Sequence, residues 1–114
     1  MPKKFSVTAK VDVPSSKIVN MFISACEGGS SYWCSSVTPK GKGDPYESML
    51  AGFTLIEIGG CKKRVVTPTK IKEGVQLMAT KYPQDFADMV QGEGDAFMAD
   101  TFLQLCTFRE LIYG

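Results

Sequence analysis

Phe5, Val7, Ala9, Val11 and Val13 alternate with Ser6, Thr8, Lys10 and Asp12, the period of two that marks a strand with one buried face. Pro14 breaks the alternation, and Ser15 and Ser16 offer hydroxyls to cap a helix. Ile18, Val19, Phe22, Ile23 and Cys26 then recur at three- and four-residue spacing, which predicts an amphipathic helix over 16–27. Gly28-Gly29 ends it, because glycine takes the left-handed C-terminal conformation without a side-chain penalty. Tyr32-Trp33-Cys34 reads as the start of a short strand, and Lys40 to Pro45 as a loop. Phe53 to Ile58 and Cys61 to Val66 flank Gly59-Gly60, the signal of a hairpin with a two-residue turn.

Thr67-Pro68 is a cap followed by proline at the first helical position. A helix from there puts Ile71, Val75 and Met78 on its buried face, with Gly74 tolerated at about 1 kcal/mol relative to alanine. Pro83 interrupts it, and Phe86, Ala87, Met89 and Val90 predict a short continuation. Beyond Gly92-Glu93-Gly94, the spacing of Ala99, Phe102, Leu103 and Cys106 predicts a last helix, with Asp95 and Asp100 favouring its early turns. Leu111-Ile112-Tyr113 is too apolar to stay in water, so the C-terminus is expected to dock. The order predicts one α+β domain over 1–114, a small antiparallel sheet packed against about three helices.

Composition narrows the function classes. The chain has 114 residues, 44% hydrophobic and 22% charged, enough for one self-sufficient core. Histidine is absent, which removes the commonest general base and the commonest metal ligand. No catalytic residue, metal or cofactor is therefore assigned. Cys26, Cys34, Cys61 and Cys106 have no C-x-x-C spacing and read as reduced, small buried hydrophobes of a cytosolic protein. No apolar run approaches the roughly 18 residues of a membrane span, and no signal-peptide core follows Lys3 and Lys4.

Net charge is +1, unevenly spread: residues 1–75 hold eleven Lys/Arg against six Asp/Glu, and residues 76–114 hold two against six. Such a dipolar surface suits an anionic partner or subunit packing, but it lacks the dense basic stripe of a duplex nucleic-acid binder.

Two segments carry candidate chemistry. In Glu27-Gly28-Gly29-Ser30-Ser31-Tyr32-Trp33-Cys34, the glycines allow close backbone approach and Ser30 offers a hydrogen bond. Tyr32 or Trp33 can stack on a base; the same residues also suit a helix cap followed by aromatic core. In Lys62-Lys63-Arg64, alternation sends Lys62 and Arg64 to one sheet face, where they suit phosphate, with Lys40 or Lys42 overhead. Positive charge protecting an edge strand explains this segment equally well. Asp85, Asp88, Glu93, Asp95 and Asp100 read as caps and a solvated acidic face.

The stretch Ala25 to Cys34, the segment Tyr82 to Asp88 and the end from Asp95 to Gly114 together resemble a family of small proteins encoded by bacteriophages and prophages. The chain departs from that family at Arg109, where the family has glycine. The resemblance implies a phage accessory protein in the host bacterial cytoplasm, with a counter-defence role. The residues make the expected activity capture of a small anionic or nucleotide-type ligand through Ser30, Tyr32, Trp33, Lys62 and Arg64, in a homo-oligomer. The alternative is a protein-binding inhibitor of a host defence protein, using the acidic face or an apolar patch near Tyr113.

Overall fold

The computed structural model describes residues 4–5, 7 and 9–114. Helix α1 (Ser15–Ser24) follows Pro14, which occupies the cap position, and no side-chain hydroxyl caps it. Its end widens into a π-helical turn, Ala25–Gly29, closed by the Ser30 amide donating to the Ala25 carbonyl at 2.9 Å. Strand β1 (Cys34–Pro39) leads through the 40–46 loop and a 3-10 turn (Glu47–Ala51) into β2 (Phe53–Glu57) and β3 (Lys63–Val66). Three helices complete the chain: α2 (Pro68–Lys81), α3 (Pro83–Gln91) and α4 (Ala96–Phe108). The expected α+β architecture is present, with four helices rather than about three.

The sheet is antiparallel in the order β1-β2-β3. Register aligns Val37, Leu55 and Arg64, and beside them Pro39, Phe53 and Val66, on the face that meets the helices. Thr38, Thr54 and Val65, with Ile56 and Lys63, form the opposite face. The hairpin is where the sequence puts it, but its turn is longer. Glu57 N–H donates to the Lys62 carbonyl at 2.8 Å, so four residues, Ile58 to Cys61, make the connection. Both Gly59 (φ 86°) and Cys61 (φ 50°) take positive φ there.

The first alternating segment forms no strand among its described residues; Ser6 and Thr8, half of its polar positions, lie outside them. Phe5 and Val7 are 87% and 86% exposed, and of the apolar positions only Val13, next to α1, packs against the core. Alternation marks a strand only when a neighbouring edge supplies its backbone partners, and the sheet pairs without this segment.

Helix α4 is the centre of the molecule. It packs against α1, α2, β3 and the π-helical turn, and eight of its residues show this in their burial: Ala99, Asp100 and the run Phe102 to Thr107 are all buried. A helix surrounded on all sides cannot be amphipathic in the usual sense. Asp95 caps it by accepting from the Met98 amide at 2.9 Å, and Arg109 ends it in the left-handed conformation (φ 63°). That backbone state explains why glycine suits the position where this chain has arginine. Arg109 also pairs with Glu73 on α2. Thr67 caps α2 through its hydroxyl oxygen, as its sequence predicts.

Candidate functional site

The Glu27–Cys34 segment is held from beneath by one carboxyl group. Asp100 Oδ1 accepts from Ser30 Oγ at 2.8 Å and from Trp33 Nε1 at 2.7 Å. Its Oδ2 accepts from Tyr32 Oη at 2.5 Å and from Gln104 Nε2 at 3.1 Å. Four donors fill the carboxyl's acceptor capacity, so Asp100 is a keystone for the segment rather than a free acid. Burial and the bond to Asp100 push the Tyr32 hydroxyl up to about 12. Close packing fixes the segment further: a Cβ on Gly29 would lie 2.6 Å from the Ala96 carbonyl, so only glycine lets α4 begin there.

Gln104 passes this order on to the C-terminus. Its Oε1 accepts from the amides of Ile112 and Tyr113 at 2.8 and 2.9 Å. The tail therefore docks as expected, and the Tyr113 ring stacks on Trp33 with centroids 5.1 Å apart and planes 8° from parallel. Trp33 is 1% exposed. One of its faces belongs to Tyr113, its indole N–H to Asp100 and another side to Phe108, which leaves no surface for a base. Ser30 is likewise buried, with its hydroxyl given to Asp100. Tyr32 keeps an exposed ring.

The two cations of the hairpin are elsewhere. Arg64 faces the helices, donates from Nε to Glu57 Oε2 at 2.5 Å and lies over the Phe108 ring. Lys62 is exposed at the end of the hairpin connection. Neither lines a cleft together with Ser30 or Tyr32. The five residues singled out by sequence thus form a keystone network and a separate ion pair, not one pocket.

Glu57 is itself buried, and Tyr113 Oη donates to its Oε1. That hydrogen bond lowers the Glu57 carboxyl below its ordinary value of 4.5, burial opposes, and the Arg64 bond and charge lower it further. A depressed carboxyl stabilises the fold above its unfolded value, and that stability is lost as pH falls through the folded value. Urea midpoints are expected to fall as pH drops below 4.5, and Glu57→Gln to flatten that part of the profile. An unchanged acid profile in the variant would show that Glu57 does not govern it.

The segment separates two concavities. On one side, a pocket of about 230 Å³ is floored by Ala25, Val37, Met49 and Leu103 and edged by Ser30, Ser31, Ser35, Ser36 and Tyr46. Cys26 and Cys34 complete its wall. Burial, then the proximity of Cys34 and Glu27, pushes the Cys26 thiol up to about 11; burial likewise raises Cys34. Both thiols are neutral at physiological pH, and no Lys, Arg, Asp or Glu lines the pocket. On the other side, a cleft of about 590 Å³ lies between Tyr32, the start of α4 and the docked tail.

No match to this chain is found among protein-family models, curated proteins or solved structures. Function therefore rests on the geometry. Among the described residues, no three His, Cys, Asp or Glu side chains gather to hold a metal ion. Among the described residues, no helix is long and apolar enough to cross a membrane.

The loop of residues 40–44 leaves the wall of the small pocket at Pro39 and returns to it at Pro45 and Tyr46. It is shaped by its own hydrogen bonds: Lys40 N–H to the Gly52 carbonyl at 2.9 Å, and Asp44 Oδ1 accepting from the Tyr46 and Glu47 amides at 2.9 and 3.0 Å. Lys40 and Lys42 on this loop are exposed, and neither pairs with a described carboxylate. Sequence reasoning placed these lysines as auxiliaries to Lys62 and Arg64.

Proposed function

We propose that this protein is a non-enzymatic binding protein that captures and sequesters a nucleotide-type ligand in the pocket beside the Glu27–Cys34 segment. The carrying observation is an uncharged, hydroxyl-edged pocket whose wall runs directly into a loop bearing two unpaired lysines. A pocket of about 230 Å³ is below the usual range of roughly 300–1,000 Å³ for whole ligands, so it takes the neutral, planar end of such a molecule. The Ser36 hydroxyl, which makes no bond to another described residue, supplies a hydrogen bond and the Tyr46 ring the flat surface that end requires. An anionic phosphate is costly inside a neutral wall and stays at the mouth, where Lys40 and Lys42 meet it. Support for a counter-defence role in the cytoplasm of an infected bacterium comes from the resemblance of residues 25–34, 82–88 and 95–114 to small phage-encoded proteins.

Native mass spectrometry and thermal shift with nucleosides and with linear and cyclic nucleotides test this reading. One nucleotide is expected to bind stoichiometrically and to stabilise the fold by about 2.7 kcal/mol at a hundredfold excess over its Kd. Replacing Lys40 and Lys42 by alanine is expected to weaken the phosphorylated ligand by about 1.5–3 kcal/mol and leave the parent nucleoside unaffected. A protein that stays bare and thermally indifferent across the panel overturns the proposal.

A further inference from the structure

The larger cleft and the hairpin tip lie on one continuous face. Ile58 at the tip donates its amide to the Trp33 carbonyl at 2.7 Å, and Tyr113, stacked on Trp33, bonds Glu57 next to it. Around this stack Tyr32, Ile58 and Ile112 are 52%, 48% and 52% exposed, and Phe97 across the cleft is 86% exposed. An uncovered aromatic ring beside several half-exposed large side chains marks a face that excludes water only when something docks on it.

The charges at the two ends of the face differ in sign. Glu93 and Asp95, both exposed, lie on the turn into Phe97, while Lys62, also exposed, follows the Ile58 to Cys61 connection. A two-fold axis through the middle of such a face puts the acidic end of one copy against the basic end of the other, with the apolar residues between them. Isologous pairing of this kind is the commonest form of assembly.

We propose that this face joins two copies of the chain in a two-fold symmetric dimer. The assignment is independent of the ligand pocket, which lies on the other side of the Glu27–Cys34 segment.

Sedimentation equilibrium on the full chain tests it. The wild type is expected to be a dimer whose dissociation constant rises with salt, because the end contacts are solvent-exposed charges. Phe97→Asp, at a position 86% exposed in the monomer, is expected to be monomeric, with the thermal midpoint the wild type shows when diluted below its dissociation constant. Lys62→Glu and Glu93→Lys/Asp95→Asn are each expected to weaken self-association at least tenfold; asparagine keeps the cap of α4. Mixing those two variants restores a heterodimer, since both of its charge contacts are then complementary. A wild type that stays monomeric at the highest concentration it tolerates overturns the proposal and leaves the face to a different protein. So does a dimer indifferent to Phe97→Asp, and so do charge variants that fail to pair when mixed.

Discussion

Replacing Asp100 with alanine is expected to cost about 3–5 kcal/mol, as much as truncating a fully buried aromatic side chain. Asp100 is 9% exposed and takes all four of its hydrogen bonds from side-chain donors. Alanine leaves the Ser30 hydroxyl and the Trp33 indole N–H without acceptors, and both residues are 1% exposed. A buried donor left unmade costs about 1–3 kcal/mol, while the Tyr32 hydroxyl, nearer to solvent, is partly rescued by water. Against a total stability of about 5–15 kcal/mol, that loss leaves a marginal fold. Asp100→Asn is expected to fall between the two, because its amide group turns a donor toward other donors. Urea unfolding followed by the single tryptophan measures both. An alanine variant with the wild-type midpoint would show that water replaces the carboxyl, and the keystone role would be lost.

The second large effect is at Gly74. Read as a helix-interior glycine, it is a weakness, and alanine there is worth about 1 kcal/mol of added helix stability. Tertiary packing reverses the sign. A Cβ on Gly74 would stand 2.5 Å from Cys106 Sγ and 3.0 Å from both Cys106 Cα and its amide nitrogen. Glycine is what lets α2 and α4 cross this closely, and Cys106 is fully buried at the crossing. Gly74→Ala is expected to destabilise by about 1–2 kcal/mol and Gly74→Val by about 3 kcal/mol, since overpacking a tight core forces backbone shifts. Cys106→Ala removes the sulfur from the clash and is expected to recover part of the alanine loss, but not the overlap with the Cys106 backbone. Thermal midpoints of the single and double variants decide it. A Gly74→Ala protein more stable than wild type would mean that helix propensity outweighs the crossing.

Gly74 and Asp100 show the same limit of sequence reasoning from opposite sides. Each has an ordinary local reading, a tolerated glycine and an acid in an early helical turn, and each owes its role to residues distant in the chain. For Asp100 a signal was present. It stands four residues before Gln104 in a helix that is otherwise almost wholly apolar, and a polar pair at that spacing shares one face. For Gly74 nothing in the chain points to Cys106, 32 positions away.

Local chemistry alone determined α1, the hairpin around Gly59-Gly60, the capped start of α2, the break at Pro83, the last helix and the docking of Tyr113, whereas Gly28-Gly29 carry the helix on as a π-helical turn with no left-handed stop. These follow from periodicity, caps and turn residues, whose energetics act within a few positions. The tertiary structure alone decided that the described residues of the first alternating segment pair with no strand, because pairing needs an edge that alternation does not supply. It also decided that Trp33 and Ser30 belong to the Asp100 network, that Arg64 is spent on Glu57, and that no charged side chain lines the pocket beside that network. Each of those outcomes depends on which long-range partner reaches a polar or aromatic group first. That competition is settled by packing, which no spacing along the chain records.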